Sequence, residues 1–274
     1  MKVNEAIKIT DTFTRTSKMP GLSYSLPAWE CKTGSKLRKV PGSPCYGCYA
    51  LKGNYTRYPA IKAAQYRRLA AIDNPLWVQA MAAVIKRQKF FRWHDAGDVQ
   101  SSEHMQKIIE VCKLTPNTKH WLPTQERAFL PAPEDVPENL VIRLSRSKID
   151  GPAGNAWSHD SGVTTDEAKR TCPAPDQSGK CGSCRACWNP EIKSVIYGKH
   201  SWNSNTRNIT LNLKRSGSNG SRSKPQASST KLLKMQAASL KLQATSLKLQ
   251  AASSKIPDTR SLIKFREPGF RGLN

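Results

Sequence analysis

Strand-like and helix-like segments alternate between residues 20 and 200, and this alternation restricts the fold more than any other feature. The stretches GLSYSLPAW, KFFRWH, KHWLP, LVIRLS and SVIYG are rich in the β-branched and aromatic residues typical of strands. PAIKAAQYRRLAAI and PLWVQAMAAVIKRQ each open with a proline in the first helical turn, and SSEHMQKIIEVCKL opens with serines suited to an N-cap. This order predicts an α/β fold with a mostly parallel sheet, either open or rolled into a partial (β/α) barrel.

One cysteine belongs to that predicted core. Met105, Ile108, Ile109 and Cys112 follow one another at helical spacing, so they form an apolar stripe along one face of a helix. A free cysteine in such a stripe packs as a small hydrophobic side chain. We therefore expect Cys112 to be buried and to have no part in a metal site.

The other seven cysteines fall in two short stretches, residues 31–48 and 172–187. The start, MKVNEAIKIT, lacks the apolar core of a secretory signal, and no apolar run approaches the ~20 residues that span a bilayer. We expect a cytoplasmic protein without membrane spans, in which thiols stay reduced. Clustered cysteines in such a protein indicate metal ligands or redox groups before disulfides.

The second stretch has the spacing C-x8-C-x2-C-x2-C, formed by Cys172, Cys181, Cys184 and Cys187. Its last three thiols share one overlapping run, which resembles the ferredoxin pattern that holds a 4Fe–4S cluster. Zinc usually takes two separate C-x2-C turns instead. The spacing favours a four-iron cluster with Cys172 as the fourth ligand, and zinc is the alternative.

The first stretch supplies only three cysteines, Cys31, Cys45 and Cys48. A cubane held by three thiolates leaves one iron with an open position, where a substrate or cofactor can bind; the same logic separates catalytic from structural zinc sites. The alternative is a zinc site completed by a histidine such as His94.

The formal net charge is +24, which favours polyanionic partners such as nucleic acid. We divide the chain into a metal-binding core at 1–202, a flexible linker at 203–232 and a basic tail at 233–274. The linker is rich in Ser, Asn and Gly and cannot bury a core, so we expect disorder. The tail repeats LKMQAAS, LKLQATS and LKLQAAS, but leucines two and five apart do not form a coiled-coil seam. It is either a solvated tail or a partner-binding helix.

Several motifs together resemble one phage family. These motifs are KMPGLSYSLPAWECKTG, CYGCYA, FRWHDAGDVQS, HWLPTQE, IRLSRS and CGSCRACW with VIYGKH. Over roughly residues 15–200 they look like the gene product 88 family, a domain of undefined biochemical role. The resemblance implies a phage protein that works in the cytoplasm of an infected bacterium. The C-x2-C-Y-A element also resembles phage proteins related to radical S-adenosylmethionine (SAM) enzymes, near spore photoproduct lyase.

The radical SAM resemblance implies that three thiolates hold a cluster and that SAM chelates its fourth iron. This chain departs from the usual C-x3-C-x2-C loop, because thirteen residues separate Cys31 from Cys45. Against that pattern, residues 32–44 are expected to form an inserted basic loop. In the resemblance, Gly97 and Asp98 occupy a turn that grips the SAM amino group; alternatively, Asp98 caps the next helix. Arg127 and Arg143 end later strands, where either could pair with a ligand carboxylate or be an ordinary surface residue.

Two functions from different classes follow. The first is a radical-SAM-like enzyme with an open three-cysteine cluster and an auxiliary four-cysteine cluster, acting on a nucleic acid or nucleotide. The second is a non-catalytic nucleic-acid-binding protein stabilised by zinc or by a structural cluster.

Overall fold

The computed structural model describes residues 1–154 and 157–199, and all structural statements below concern these residues. They form a six-stranded sheet in which every neighbouring pair is parallel and the strand order follows the chain order. This confirms the α/β prediction. The strands are β1 (Leu22–Tyr24), β2 (Phe90–Trp93), β3 (Lys119–Thr124), β4 (Leu140–Ser145), β5 (Asp160–Thr164) and β6 (Ser194–Gly198).

Six helices accompany the sheet in the described residues. The two longest confirm the sequence signals, because α4 begins at Pro59 and the N-cap Ser101 accepts a hydrogen bond from the His104 backbone N–H ahead of α6. The helices are α1 (Val3–Thr10), α2 (Lys32–Leu37), α3 (Asn54–Arg57), α4 (Pro59–Ala71), α5 (Trp77–Ile85) and α6 (Ser102–Leu114).

The two faces of the sheet differ in character. One face packs against α5 and α6 and forms the main core, in which Phe91, Trp93 and Leu122 are fully buried. Cys112 of α6 lies in this core with no exposed surface, as its helical stripe predicts. Because side chains alternate along a strand, the residues between these core positions point to the opposite face. We call that opposite face, which carries Ser23, Arg92, Trp121 and Arg143, the polar face.

The structure contains elements that the sequence patterns did not reveal. Residues 32–44 are not simply a loop, since they begin with α2. Strand β5 has the sequence DSGVT, which lacks a clear apolar alternation. The predicted linker at 203–232 and tail at 233–274 lie outside the described residues. None of the described helices has the length and hydropathy that a membrane span requires.

Candidate functional site

The first cysteine group lies at the edge of the sheet where β1, β2 and β3 end. Cys31 follows β1, and its Sγ is 3.7 Å from the point where a Cβ on Gly34 would stand; the Cys45 Sγ is 3.9 Å from the same point. Cys48 packs with Cys31 against a small apolar cluster formed by Ala28, Ala50 and Ala96. The thirteen residues between Cys31 and Cys45 therefore form a loop whose two ends lie close together, and α2 is the first part of this loop.

A buried carboxylate ties together the loops that follow β2 and β3. One oxygen of Asp98 accepts hydrogen bonds from the Val99 backbone N–H (2.8 Å) and the Thr124 hydroxyl (2.6 Å). The other accepts from the Gln125 backbone N–H (2.9 Å). Asp98 does not cap α6, because Ser101 does so. A carboxylate offers about four lone-pair directions, so one of them stays free for a further donor.

The turn before Asp98 needs glycine. Gly97 has φ of +81°, and a Cβ there would stand 2.6 Å from the Leu26 Cβ and 2.7 Å from the Leu26 carbonyl oxygen. Leu26 is fully buried, and its backbone N–H donates to the Ala96 carbonyl at 2.8 Å. The missing side chain thus lets the loop after β2 lie directly on the chain that leads from β1 to Cys31.

A second buried carboxylate reaches the cysteine loop itself. Glu126, which follows β3, is 1 % exposed. Its two oxygens accept from the Thr33 backbone N–H at 2.8 Å and from the Thr33 hydroxyl at 2.6 Å. Since Thr33 lies in the first turn of α2, this pair of bonds fixes the helix immediately after Cys31. The contact joins residues 93 positions apart, so no local sequence motif indicates it.

Acidic groups are concentrated around the first cysteine group. Burial raises the pKa of the Cys31 thiol, and Asp98, the other two thiols and Glu126 raise it further. Burial and Cys48 raise the pKa of Cys45 to about 11. Burial also raises the pKa of Asp98 to about 7, against the lowering effect of its hydrogen-bond donors. A bound cation would relieve this concentration of negative charge, and the thiols would release protons to it.

His94, the alternative fourth ligand, lies against the helices. Its Nδ1 is 3.0 Å from the Tyr24 carbonyl oxygen, and its ring centroid is 5.3 Å from that of His104 in α6. Burial lowers the pKa of His94 to about 4. Its Nε2 is buried without a hydrogen-bond partner. These contacts hold the ring beside α6.

The second cysteine group surrounds one cavity. Cys172, Cys181, Cys184 and Cys187 all line one small cavity together with apolar side chains that include Trp188 and Val195. Burial raises the pKa of Cys187 to about 11, against the lowering effect of the Tyr197 hydroxyl and of Arg143 and Arg92. The Tyr197 hydroxyl lies 3.3 Å from the Cys187 Sγ. The structure therefore brings together the four thiols whose spacing indicated a common site.

Arg143 positions this second group. It is fully buried, and its guanidinium faces five backbone carbonyl oxygens at 2.8 to 3.5 Å, those of Asp160, Ala186, Cys187, Asn189 and Lys193. A guanidinium has five N–H donors, so these contacts engage all of them. Arg143 thus holds the cysteine loop on the sheet instead of making the carboxylate contact predicted from sequence.

Arg127 has a different setting. It is exposed, and its guanidinium donates to the Ser145 carbonyl at 3.3 Å. Its remaining donors face solvent, which leaves the predicted pairing with a ligand carboxylate open. Arg127 follows Glu126 directly, so it lies beside the first cysteine group.

The cysteines are neighbours rather than a formed coordination sphere. Within residues 1–154 and 157–199, no set of three or more His, Cys, Asp or Glu side chains stands in a geometry that could hold a metal ion. Rotation about a single χ1 bond would reposition each sulfur without moving the backbone. The backbone loops, not the thiol rotamers, define the two groups.

Fold and site together define an α/β protein with a six-stranded parallel sheet and two cysteine-rich loops. The family model for gene product 88 matches residues 2–190. The chain belongs to the gene product 88 family, as its motifs predicted. No curated protein and no solved structure matches the chain.

Proposed function

We propose that this chain is an iron–sulfur protein with two centres and that it acts as a radical-SAM-like enzyme. Cys31, Cys45 and Cys48 would hold a 4Fe–4S cluster with one open position, and Cys172, Cys181, Cys184 and Cys187 would hold a second, fully ligated cluster. The observation that carries the proposal is the convergence of three thiols and two buried carboxylates where three parallel strands end. Ligands of parallel α/β proteins bind at that edge of the sheet.

The donor sets fit these groups. Thiolates are the usual ligands of iron–sulfur clusters, and three of them leave an iron available to a cofactor. With SAM bound, such a centre would supply the electron for reductive cleavage of a carbon–sulfur bond of the sulfonium. The second group has four thiols around one apolar-walled cavity and needs no further ligand.

The protein's own residues would orient the cofactor and exclude water. The free lone-pair direction of Asp98 suits an ammonium donor such as the SAM amino group. Glu126 and Thr33 would hold α2 in place beside Cys31. Tyr49 follows Cys48, and its hydroxyl donates to the Asp95 carbonyl, so its half-exposed ring would screen this side of the group.

SAM cleavage tests the enzymatic part. Anaerobically purified protein, reduced with dithionite and mixed with SAM, is expected to form 5′-deoxyadenosine. The Cys48→Ala variant should form none, and the Cys112→Ala variant, which alters a core cysteine, should keep the activity of the parent relative to its iron content. Absence of deoxyadenosine from the iron-loaded parent would refute the enzymatic proposal.

A specific surface favours the second function, nucleic-acid binding. Tyr58 is the N-cap of α4, and Lys62 and Tyr66 follow it at intervals of four residues, so the three lie along one side of the helix. Both tyrosines are exposed, and the Lys62 Nζ lies 4.9 Å from the centroid of the Trp29 ring. Exposed aromatic rings interleaved with cations are typical of single-strand binding surfaces. Glu30, which accepts from the Tyr66 hydroxyl at 3.1 Å, limits the positive charge there.

Oligonucleotide binding separates the two functions. We expect the full chain to bind single-stranded DNA with a steep salt dependence, and the double variant Tyr58→Ala, Tyr66→Ala to bind about tenfold more weakly. The Leu114→Ala variant, exposed at the end of α6, is the control. If the double variant binds like the parent, this face of α4 is not the contact. Binding without SAM cleavage would favour the non-catalytic function.

A further inference from the structure

Arg92 lies on the polar face of the sheet between the two cysteine groups. In the register of the strands it pairs with Ser23 of β1 and Trp121 of β3. Its guanidinium carbon lies 4.5 Å from the centroid of the Trp121 ring. Arg92 is thus stacked on an aromatic side chain in the middle of the sheet.

The second cysteine group borders Arg92 on one side. Trp188, which follows Cys187, packs on the same Trp121 ring with centroids 5.1 Å apart. Its indole N–H donates to the carbonyl of Phe91, the residue before Arg92, at 2.9 Å. The positive charge of Arg92 also acts on the thiols of Cys181 and Cys187.

The first cysteine group borders Arg92 on the other side. Tyr49, next to Cys48, donates from its hydroxyl to the carbonyl of Asp95. The Asp95 carboxylate accepts from the Ser23 hydroxyl at 2.7 Å and from the Tyr55 hydroxyl at 2.8 Å. Both Asp95 oxygens therefore have neutral donors, and the carboxylate does not form an ion pair with Arg92.

The guanidinium of Arg92 forms no ion pair with the described residues, although the negative charge of the nearby Asp95 favours its charged form. The ion pairs among the described residues involve four other basic side chains, Arg67, Arg146, Lys169 and Arg170. The Nε of Arg92 is buried without a hydrogen-bond partner. This donor of the guanidinium therefore lacks an acceptor, and a buried donor without an acceptor is costly. A planar guanidinium offers paired donors that match a carboxylate or phosphate.

We infer that Arg92 is the cation of a binding site for an oxyanion group, a carboxylate or a phosphate, carried by the molecule on which the two cysteine groups act. That this molecule is the substrate of the two cysteine groups rests on the proposed function. The anion would lie against the open edge of the guanidinium, since its face is already stacked on the buried Trp121.

Binding of small aromatic anions tests this site. We would titrate the anaerobically purified full chain with benzoate, phenyl phosphate and the uncharged benzamide by calorimetry at constant ionic strength. At least one of the two anions should bind saturably, and the preferred one distinguishes a carboxylate from a phosphate. Arg92→Gln should weaken that binding about tenfold. Arg87→Gln, which removes an exposed arginine just after α5, should leave it unchanged.

Two results would overturn the inference. One is equal anion affinity in the parent and Arg92→Gln; the other is benzamide binding as tight as that of the anions. If Arg92→Gln does not fold, Arg92→Lys keeps the charge and loses the paired donors, so it should weaken binding to a smaller extent. Anion binding is measured independently of iron content and SAM cleavage, so a failure here is distinguishable from a failure of the proposed function.

Discussion

Thr33 donates two hydrogen bonds to Glu126, one from its backbone N–H and one from its hydroxyl, across 93 residues of sequence. Glu126 follows β3 and is almost fully buried, whereas Thr33 lies in the first turn of the helix after Cys31. This contact connects the cysteine loop to the sheet. It makes the position of Cys31 depend on a carboxylate that no local sequence motif relates to it.

Removing the Thr33 hydroxyl should loosen that connection. We expect Thr33→Val to lower the free energy of unfolding by about 1–2 kcal/mol, because a buried carboxylate loses a donor. Urea denaturation measures this change. Ser35→Ala is the control within the same helix; its hydroxyl donates only to the Lys32 carbonyl, so the change should stay within about 0.5 kcal/mol. Equal effects of the two substitutions would contradict a special role for the Thr33 contact.

Gly97→Ala should be strongly destabilising. Its Cβ would meet both the backbone and the side chain of Leu26, and its φ of +81° is unfavourable for alanine. The two effects together should cost about 2–5 kcal/mol. Gly42→Ala isolates the backbone effect, because Gly42 has φ of +82° with nothing within 4 Å of a Cβ. Thermal unfolding should show a clearly larger loss for Gly97→Ala, and similar losses would show that close approach to Leu26 is unimportant.

Arg143→Lys should release the second cysteine loop while leaving the first one in place. Lysine cannot reach five carbonyls, so we expect a loss of about 3 kcal/mol and a fall from about eight to about four iron atoms per chain. The exposed Arg127→Lys serves as the control and should retain stability and iron. An Arg143→Lys variant with the stability and iron content of the parent would refute this assignment.

The buried His120 should make stability depend on pH. Burial lowers its pKa to about 3, and its Nε2 is 2.9 Å from the Thr115 hydroxyl. Below the ordinary histidine pKa the unfolded chain binds a proton that folded His120 does not bind until about pH 3. The contribution of His120 to the unfolding free energy should therefore fall with decreasing pH in this window, by about 1.4 kcal/mol per unit.

The His120→Gln variant removes that contribution. The difference in unfolding free energy between parent and variant should change with pH by about the same amount per unit between pH 6.5 and pH 5, as measured by urea denaturation. His94 and His104 are buried in both proteins and have lowered pKa values, so their contributions cancel in the difference. A pH-independent difference would contradict a neutral His120 in the folded state.

Local patterns were sufficient to predict much of the fold. The N-cap at Ser101, the proline that opens α4 and the stripe containing Cys112 each follow from contacts within a few residues, and all three are confirmed. Strand β5 could not be predicted, because Asp160, Ser161 and Gly162 lack a strand pattern. It is held in the sheet by pairing with β4 on one side and β6 on the other. Tertiary pairing overrides weak propensity in such a strand.

The candidate site likewise has a part that local sequence patterns predict and a part that they do not. Spacing alone pointed to the membership of the two cysteine groups, and the structure places each set of thiols together. The roles of Arg143 and Glu126 could not be predicted, because each depends on contacts between residues tens of positions apart. An arginine that binds backbone carbonyls and one that binds a ligand look the same in a sequence.

Iron and acid-labile sulfide analysis of anaerobically purified full chain tests the central proposal most directly. We predict a brown protein with about eight iron atoms per chain, a Cys31→Ala variant with about four, and a Cys112→Ala variant with the content of the parent. A colourless, zinc-loaded protein, or an iron content that Cys31→Ala leaves unchanged, would contradict the account.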